Sequence, residues 1–177
     1  MNEELKNNRE AVLAAVRSDV EAIQNASEEL KNDKEFILQV VSTNGYALKY
    51  VEDKFKNDRD VVLAAIKQDV FGHSLKYASR ELKSDRDFIA EAITVNPYIF
   101  RQADISLRQD RKYVLSLIEK NALVIEGASE ELKNDREVVL KAVAKNGHAL
   151  SYASVELRQN KDFVREASEI NSDAMGY

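Results

Sequence analysis

The sequence predicts an all-α chain, an α-solenoid of seven two-helix repeats of about 25 residues, on three observations. The first is self-similarity at a fixed period, which marks architectures whose units bury their apolar faces on their neighbours. The string Leu30-Lys31-Asn32-Asp33-Lys34-Glu35 returns in altered form at Leu5, Phe55, Leu82, Leu107, Leu132 and Leu157. The leading apolar residues are 25 apart at every step except 55 to 82, which is 27, so a two-residue insertion lies near Val70-Phe71. The second observation is apolar spacing: Phe36, Ile37, Val40 and Val41 follow a helical stripe, as do Val61, Val62, Ala65 and Ile66. The third is that no Pro/Gly/Ser-rich linker or composition shift interrupts 177 residues holding five Gly and one Pro. One domain over residues 1–177 is therefore expected, with units starting near 5, 30, 55, 82, 107, 132 and 157.

Within a unit the first helix is predicted to begin after Asn32, with Glu35 three residues on. That is the spacing of a capping box, in which the cap side chain accepts from a first-turn N–H and the acid reaches back. Asn57/Asp60, Ser84/Asp87 and Asn134/Glu137 repeat it, whereas Gln109/Lys112 breaks it. An Asn or Asp closes this helix in every unit, at Asp19, Asn44, Asp69, Asn96, Asn121, Asn146 and Asn171. Pro97 follows Asn96. Proline disfavours α geometry in the residue before it and suits a first helical position, so Asn96 is read as the N-cap of the second helix. Gly45 and Gly147 stand where Pro97 stands and are expected to supply a left-handed turn. The second helix carries Leu48 and Val51, matched by Leu75/Ala78, Phe100/Ala103, Ile125/Ala128 and Leu150/Ala153. Its end stays open, because Ser79, Ser129 and Ser154 are placed to start a separate turn. Helices of about ten residues with one apolar stripe are marginal alone, so neighbours must bury the stripes. In the outer units Arg165 replaces the Leu38 type, Ser168 the Val41 type and Ala11 the Phe36 type, which predicts wettable capping faces.

The segment Leu132–Val143 reads Leu-Lys-Asn-Asp-Arg-Glu-Val-Val-Leu-Lys-Ala-Val and is followed by Asn146-Gly147-His148-Ala149-Leu150-Ser151-Tyr152-Ala153-Ser154. This string resembles the helical repeat of the family termed domain of unknown function 4116, which occurs as tandem arrays in bacterial and single-celled eukaryotic proteins. The resemblance covers about residues 5–177; Phe55 for Leu, Pro97 for Gly and the polar last unit are departures. It implies a helical array and brings no activity and no catalytic residues.

Composition narrows the chemistry. A chain of this length buries roughly 70% of its unfolded surface, so it needs no covalent staple. With no Cys it holds neither a disulfide nor a thiolate metal site, and Met1-Asn2-Glu3-Glu4 has neither the basic region nor the apolar run of a signal peptide. A cytoplasmic location is expected. Nowhere do ~18 apolar residues follow one another, so no membrane span is expected. A net charge of −5 disfavours nucleic acid and anionic lipid as partners. The glycines are dispersed and form no phosphate-cradling loop. His73 and His148 stand three units apart, tens of Å in an extended stack if each unit adds ~10 Å. Glu28/Glu29 and Glu130/Glu131 read as solvent-facing charge. No catalytic residue, metal site or cofactor is expected, and the chain is read as non-enzymatic.

Two ladders could carry binding instead. The position after the Gly/Pro holds Tyr46, His73, Tyr98 and His148; four residues on stand Tyr50, Tyr77, Tyr152 and Tyr177. Spacing of i, i+4 puts both positions on one side of the second helix, and Leu123/Gly127 interrupt the series. Tyrosine joins a large contact area to a polar tip, so it suits an interface; rings packed between repeats are the alternative. The second ladder is basic: Lys6, Lys31, Lys56, Lys83, Arg108, Lys133 and Arg158, then three residues later Arg9, Lys34, Arg59, Arg86, Arg111, Arg136 and Lys161. Carboxylates such as Asp33, Asp58 and Asp85 surround it, so ion pairing within and between repeats accounts for it better than a phosphate-tracking rail. The leading expectation is a monomeric scaffold that binds another protein along Tyr46, Tyr50, His73, Tyr77, Tyr98, His148 and Tyr152. The alternative is a small acidic inhibitor, a nucleic-acid mimic that blocks the basic cleft of an enzyme.

Overall fold

Each repeat is built from three short helices, one more than the periodicity resolves. In the second repeat they are Glu28–Asn32, Lys34–Thr43 and the 3-10 helix Gly45–Tyr50. The computed structural model describes residues 3–176, and these form the all-α repeat solenoid that the sequence predicts. Ser27, Ser79, Ser129 and Ser154 start the extra helix: each hydroxyl accepts from the N–H three residues on, as Ser154 does from Leu157 at 3.2 Å.

The long helix starts one residue later than its expected capping box. Asp33 caps it, accepting from Phe36 N at 3.1 Å, and Asp85 and Asp135 do the same for Phe88 and Val138. Asn32, the expected cap, belongs to the preceding short helix and donates from Nδ2 to the Glu28 carbonyl at 2.8 Å. The shift also explains why Gln109/Lys112 breaks the box harmlessly, since Asp110 caps Tyr113 at 2.9 Å. The next boundary is as expected: Asn44, Asn96, Asn121 and Asn146 cap the following helix, each accepting at 3.0 Å from the N–H two residues on. That helix is 3-10 and not α. Six residues separate Asn44 from Val51, and the i→i+3 pattern runs through all of them, a long stretch for a 3-10 helix.

The chain forms two compact units, residues 1–88 and 89–177. In the first, the long helices Arg9–Ser18, Lys34–Thr43 and Arg59–Lys67 pack in succession. The 3-10 helices Val20–Asn25, Gly45–Tyr50 and Ser74–Tyr77 pack likewise. Phe36, Ile37, Val40, Leu48, Ile66 and Leu75 are buried in this core. Polar seams join the repeats, with the N–H of Ser27 donating to the Lys6 carbonyl at 2.9 Å and that of Ser79 to Lys56 at 2.8 Å. In the second unit the long helices Arg111–Lys120, Arg136–Lys145 and Lys161–Ile170 pack in the same way, over a core that includes Phe100, Ile118, Ile125, Leu150 and Phe163. Its seams run from Ser129 to Arg108 at 3.0 Å and from Ser154 to Lys133 at 2.9 Å.

Gly45 and Gly147 do not supply left-handed turns. Among the described residues the glycine with positive φ is Gly72, at 69°. Gly45 is instead a matter of room: a Cβ there would lie 2.3 Å from the Ala65 carbonyl oxygen, and one on Gly147 would lie 2.7 Å from Ala174 N. In the last repeat Arg165 is exposed and pairs with Asp162 at 2.8 Å, while half-buried Ser168 donates to the Val164 carbonyl at 2.8 Å.

Candidate functional site

The 3-10 helices set the geometry of the aromatic positions. Side chains at i and i+3 eclipse in such a helix, so the 45/48 pair turns into the core and the 46/49 pair turns outward. Gly45, Ala47 and Leu48 are buried, while Tyr46 is 41% exposed and Lys49 is also exposed. Tyr50 and Tyr77 are half-buried and His73 is exposed. In the second unit Tyr98, His148 and Tyr152 are all half-buried. The seven ring residues therefore keep accessible surface at both positions. Tyr177 lies outside the described residues.

In the first unit three of the rings touch. Tyr46 meets Tyr77 edge-on at 5.3 Å between centroids and Tyr50 at 6.0 Å. The Lys49 ammonium donates to the Tyr50 hydroxyl at 3.1 Å and the Tyr46 hydroxyl at 3.4 Å, and lies 4.7 Å from the Tyr50 ring centroid. These hydroxyls, Tyr50 first, hold Lys49 above its ordinary pKa. The Tyr50 hydroxyl donates to Glu21 at 2.6 Å, and that bond raises the phenol. Tyr46 is lowered, first by its hydrogen bond with Tyr77 and then by Lys49. Lys76 sits 4.7 Å from the Tyr77 ring centroid. The lysines escape a reading of aromatic residues alone. Their signal is the i, i+3 offset from Tyr46 and His73, which becomes visible only once the helix is known to be 3-10.

The second unit repeats part of the pattern. His148 and Tyr152 meet edge-on at 5.2 Å, with Nε2 3.3 Å from the phenol oxygen. Between Tyr98 and His148 the series is broken by Leu123 and Gly127, and at the second position a ring has no room, since a Cβ on Gly127 would lie 2.4 Å from Arg101 N. Glu126 takes the place of Lys49 there and pairs with Arg101 at 3.0 Å.

The basic ladder is tied into the seams. Lys34 bonds Asp58 and Asp60 of the next repeat at 2.8 Å each, and the two carboxylates raise its pKa. Arg9 pairs with Asp33, Arg59 with Asp85 at 2.9 Å, and Arg111 with Asp135 at 2.7 Å and Glu137 at 2.5 Å. Three guanidinium groups of the ladder also cover the next repeat's phenylalanine, Arg9 over Phe36, Arg59 over Phe88 and Arg136 over Phe163. Lys56 and Lys133, from the other basic position, pair within their own helices with Asp53 and Glu130 at 2.9 Å. Among the described residues no cluster of three or more His, Cys, Asp or Glu could hold a metal ion, and no helix is long and apolar enough to cross a membrane.

Five tandem segments of the chain, residues 1–31, 33–71, 69–108, 110–158 and 137–177, match the family described as "Domain of unknown function (DUF4116)". No curated protein and no solved structure matches. Because the tandem matches take in nearly every residue, the repeats whose caps, seams and outward rings are laid out above identify the chain as a member of the DUF4116 family.

Proposed function

We propose that the chain is a non-enzymatic, cytoplasmic, monomeric protein-binding scaffold whose contact surface is the Tyr/His side of its 3-10 helices. One observation supports this most. The rings at Tyr46, Tyr50, His73, Tyr77, Tyr98, His148 and Tyr152 keep accessible surface although the residues beside them, such as Ala47, Leu48, Ala149 and Leu150, are fully buried. Rings needed only for packing would be expected to follow their neighbours inward. Tyrosine surfaces of this kind exclude water over a large area while offering hydroxyls for hydrogen bonds, at low entropic cost. The alternative, an acidic mimic, calls for carboxylates gathered on one face and left unpaired. Asp33, Asp58, Asp60, Asp85, Asp135 and Glu137 instead each engage a cation, which weighs against it.

The test compares capture of a partner from the source cell by the wild type and by Tyr50→Ala/Tyr77→Ala/Tyr152→Ala, followed by titration of the purified pair. Circular dichroism establishes that the variant is folded. The expected result is a partner bound by the wild type and weakened about tenfold or more by the triple variant. A partner bound equally well by both proteins would move the site off this surface.

A further inference from the structure

The third repeat departs from the others at one place, and its departures meet around a recess. Between the cap Asp69 and Gly72 stand Val70 and Phe71, where the second and sixth repeats pass directly from Asn44 to Gly45 and from Asn146 to Gly147. Asp69 still acts as a cap, accepting from the N–H groups of Phe71, at 3.1 Å, and Ser74. Gly72 absorbs the detour with its positive φ of 69°, and the 3-10 helix shrinks to Ser74–Tyr77. Val70 is left 77% and Phe71 69% exposed, with Phe71 stacked on His73 at 6.1 Å between centroids. The loop, Tyr46 and the end of the preceding long helix at Gln68 enclose a recess of about 210 Å³, with Ser74 in its wall.

Ser74 is itself out of pattern. It is 2% exposed, and its hydroxyl has no hydrogen-bond partner. The same position holds Ala22, Ala47, Ile99, Val124, Ala149 and Ala174, all buried hydrocarbon. A repeat optimised only for packing would carry hydrocarbon here, as the adjacent repeats do with Ala47 and Ile99.

Size and charge specify what would occupy the recess. At 210 Å³ it falls below the ≈ 300–1,000 Å³ of small-molecule sites and takes about one side chain. Its rings continue into the Tyr46–Tyr77 contact, and beyond them lie the exposed ammonium groups of Lys49 and Lys76. Asp69 stands in the recess wall with its oxygens taken up by the N–H groups of Phe71 and Ser74, and away from the lining Glu21 accepts from the Tyr50 hydroxyl. Ammonium groups therefore flank the socket where Tyr46 meets Tyr77, outside its own lining. We infer that this recess is the anchor site for a short acidic segment of a partner protein. One aromatic or branched aliphatic side chain seats against Val70, Phe71 and Tyr46, while flanking carboxylates meet Lys49 and Lys76. The inference rests on the protein-binding reading above and names the partner's chemistry.

The test is a fluorescence-anisotropy titration of the intact chain with a fluorescein-labelled peptide carrying a Leu-Phe pair among glutamates. One control peptide replaces Leu-Phe with Ala-Ala, and another replaces the glutamates with lysines. The expected result is saturable binding of the first peptide, weakened about tenfold or more by either change and by deletion of Val70 and Phe71. The deletion restores the 25-residue spacing, and circular dichroism checks that it folds. Lys49→Gln/Lys76→Gln provides a second variant and is expected to lose the salt dependence of binding. Failure of the wild type to bind the first peptide, or equal binding by the deletion variant, would overturn the inference. The two readings separate in the partner-capture experiment. A partner kept by the deletion variant and lost by the tyrosine variant leaves the protein-binding reading standing without this anchor; one kept by the tyrosine variant removes the tyrosine surface itself.

Discussion

Gly45 is glycine for want of space and not for want of torsional freedom. Its φ lies outside the positive range, yet a Cβ would press to 2.3 Å from a backbone oxygen that has no room to yield. Gly45→Ala is therefore expected to lower stability by about 1–3 kcal/mol, the usual cost of overfilling a packed site, as read from urea midpoints. An unchanged midpoint would mean that the helices separate at no cost. The sequence placed a glycine at this boundary correctly and assigned it the wrong reason, because a Gly after a helix-ending Asn fits both a left-handed turn and a tight crossing. The cap at Asp33 shows a similar limit. Asn32 and Asp33 are both strong caps, and which one serves depends on where the preceding short helix ends. Asn96 carried no such ambiguity, since Pro97 fixed the boundary from one side.

The short helix after each seam serine is the element that the sequence left open. Four or five residues cannot show a 3.6-residue period, so only the serine marks its start. Ser154 caps Val155–Gln159, and its hydroxyl also donates to Asn134 of the preceding repeat at 2.5 Å. Ser154→Ala is expected to cost about 0.5–2 kcal/mol and to speed amide exchange at Leu157, whose N–H loses its acceptor. Exchange at Leu157 that matched the wild type would remove the cap from the account. The 3-10 helices were legible as helices and not as 3-10. Their caps and apolar residues suit either form. That one difference decides which neighbour stands beside Tyr46. An α-helix would pair it foremost with Tyr50, whereas the 3-10 turn sets Lys49 next to it.

Across the whole molecule, acid should loosen the ion pairs before the apolar core. Glu119 is pulled down to about 2 by Lys141 and then Lys145, and Asp135 is lowered chiefly by Arg111. Groups whose folded pKa is depressed stabilise the fold above their ordinary values, here 4.5 and 3.8, and lose that contribution as the pH falls toward the folded pKa. Lys34, raised above 10.5, contributes below that pH and is lost above it. The thermal midpoint is thus expected to be flat from about pH 5 to pH 9 and to fall in acid, with a shallower acid limb in Glu119→Gln. An acid limb of equal slope in both proteins would show that the Glu119 pairs do not contribute. The period, the stacking and the ion-paired ladder were all legible because they recur, and recurrence multiplies a weak signal. The loop at Val70-Phe71 occurs once and showed in the sequence as a two-residue irregularity, whereas Ser74 stood out only once its burial beside that loop was known. The seams carry a further consequence, for inheritance. Where a serine amide of one repeat is accepted by the carbonyl before it, a whole-period duplication or loss in the coding DNA restores the same pairing wherever its breakpoints fall. Copy number can then drift by entire cassettes with this hydrogen bond kept at the junction, whereas a partial one strands a donor at the joint.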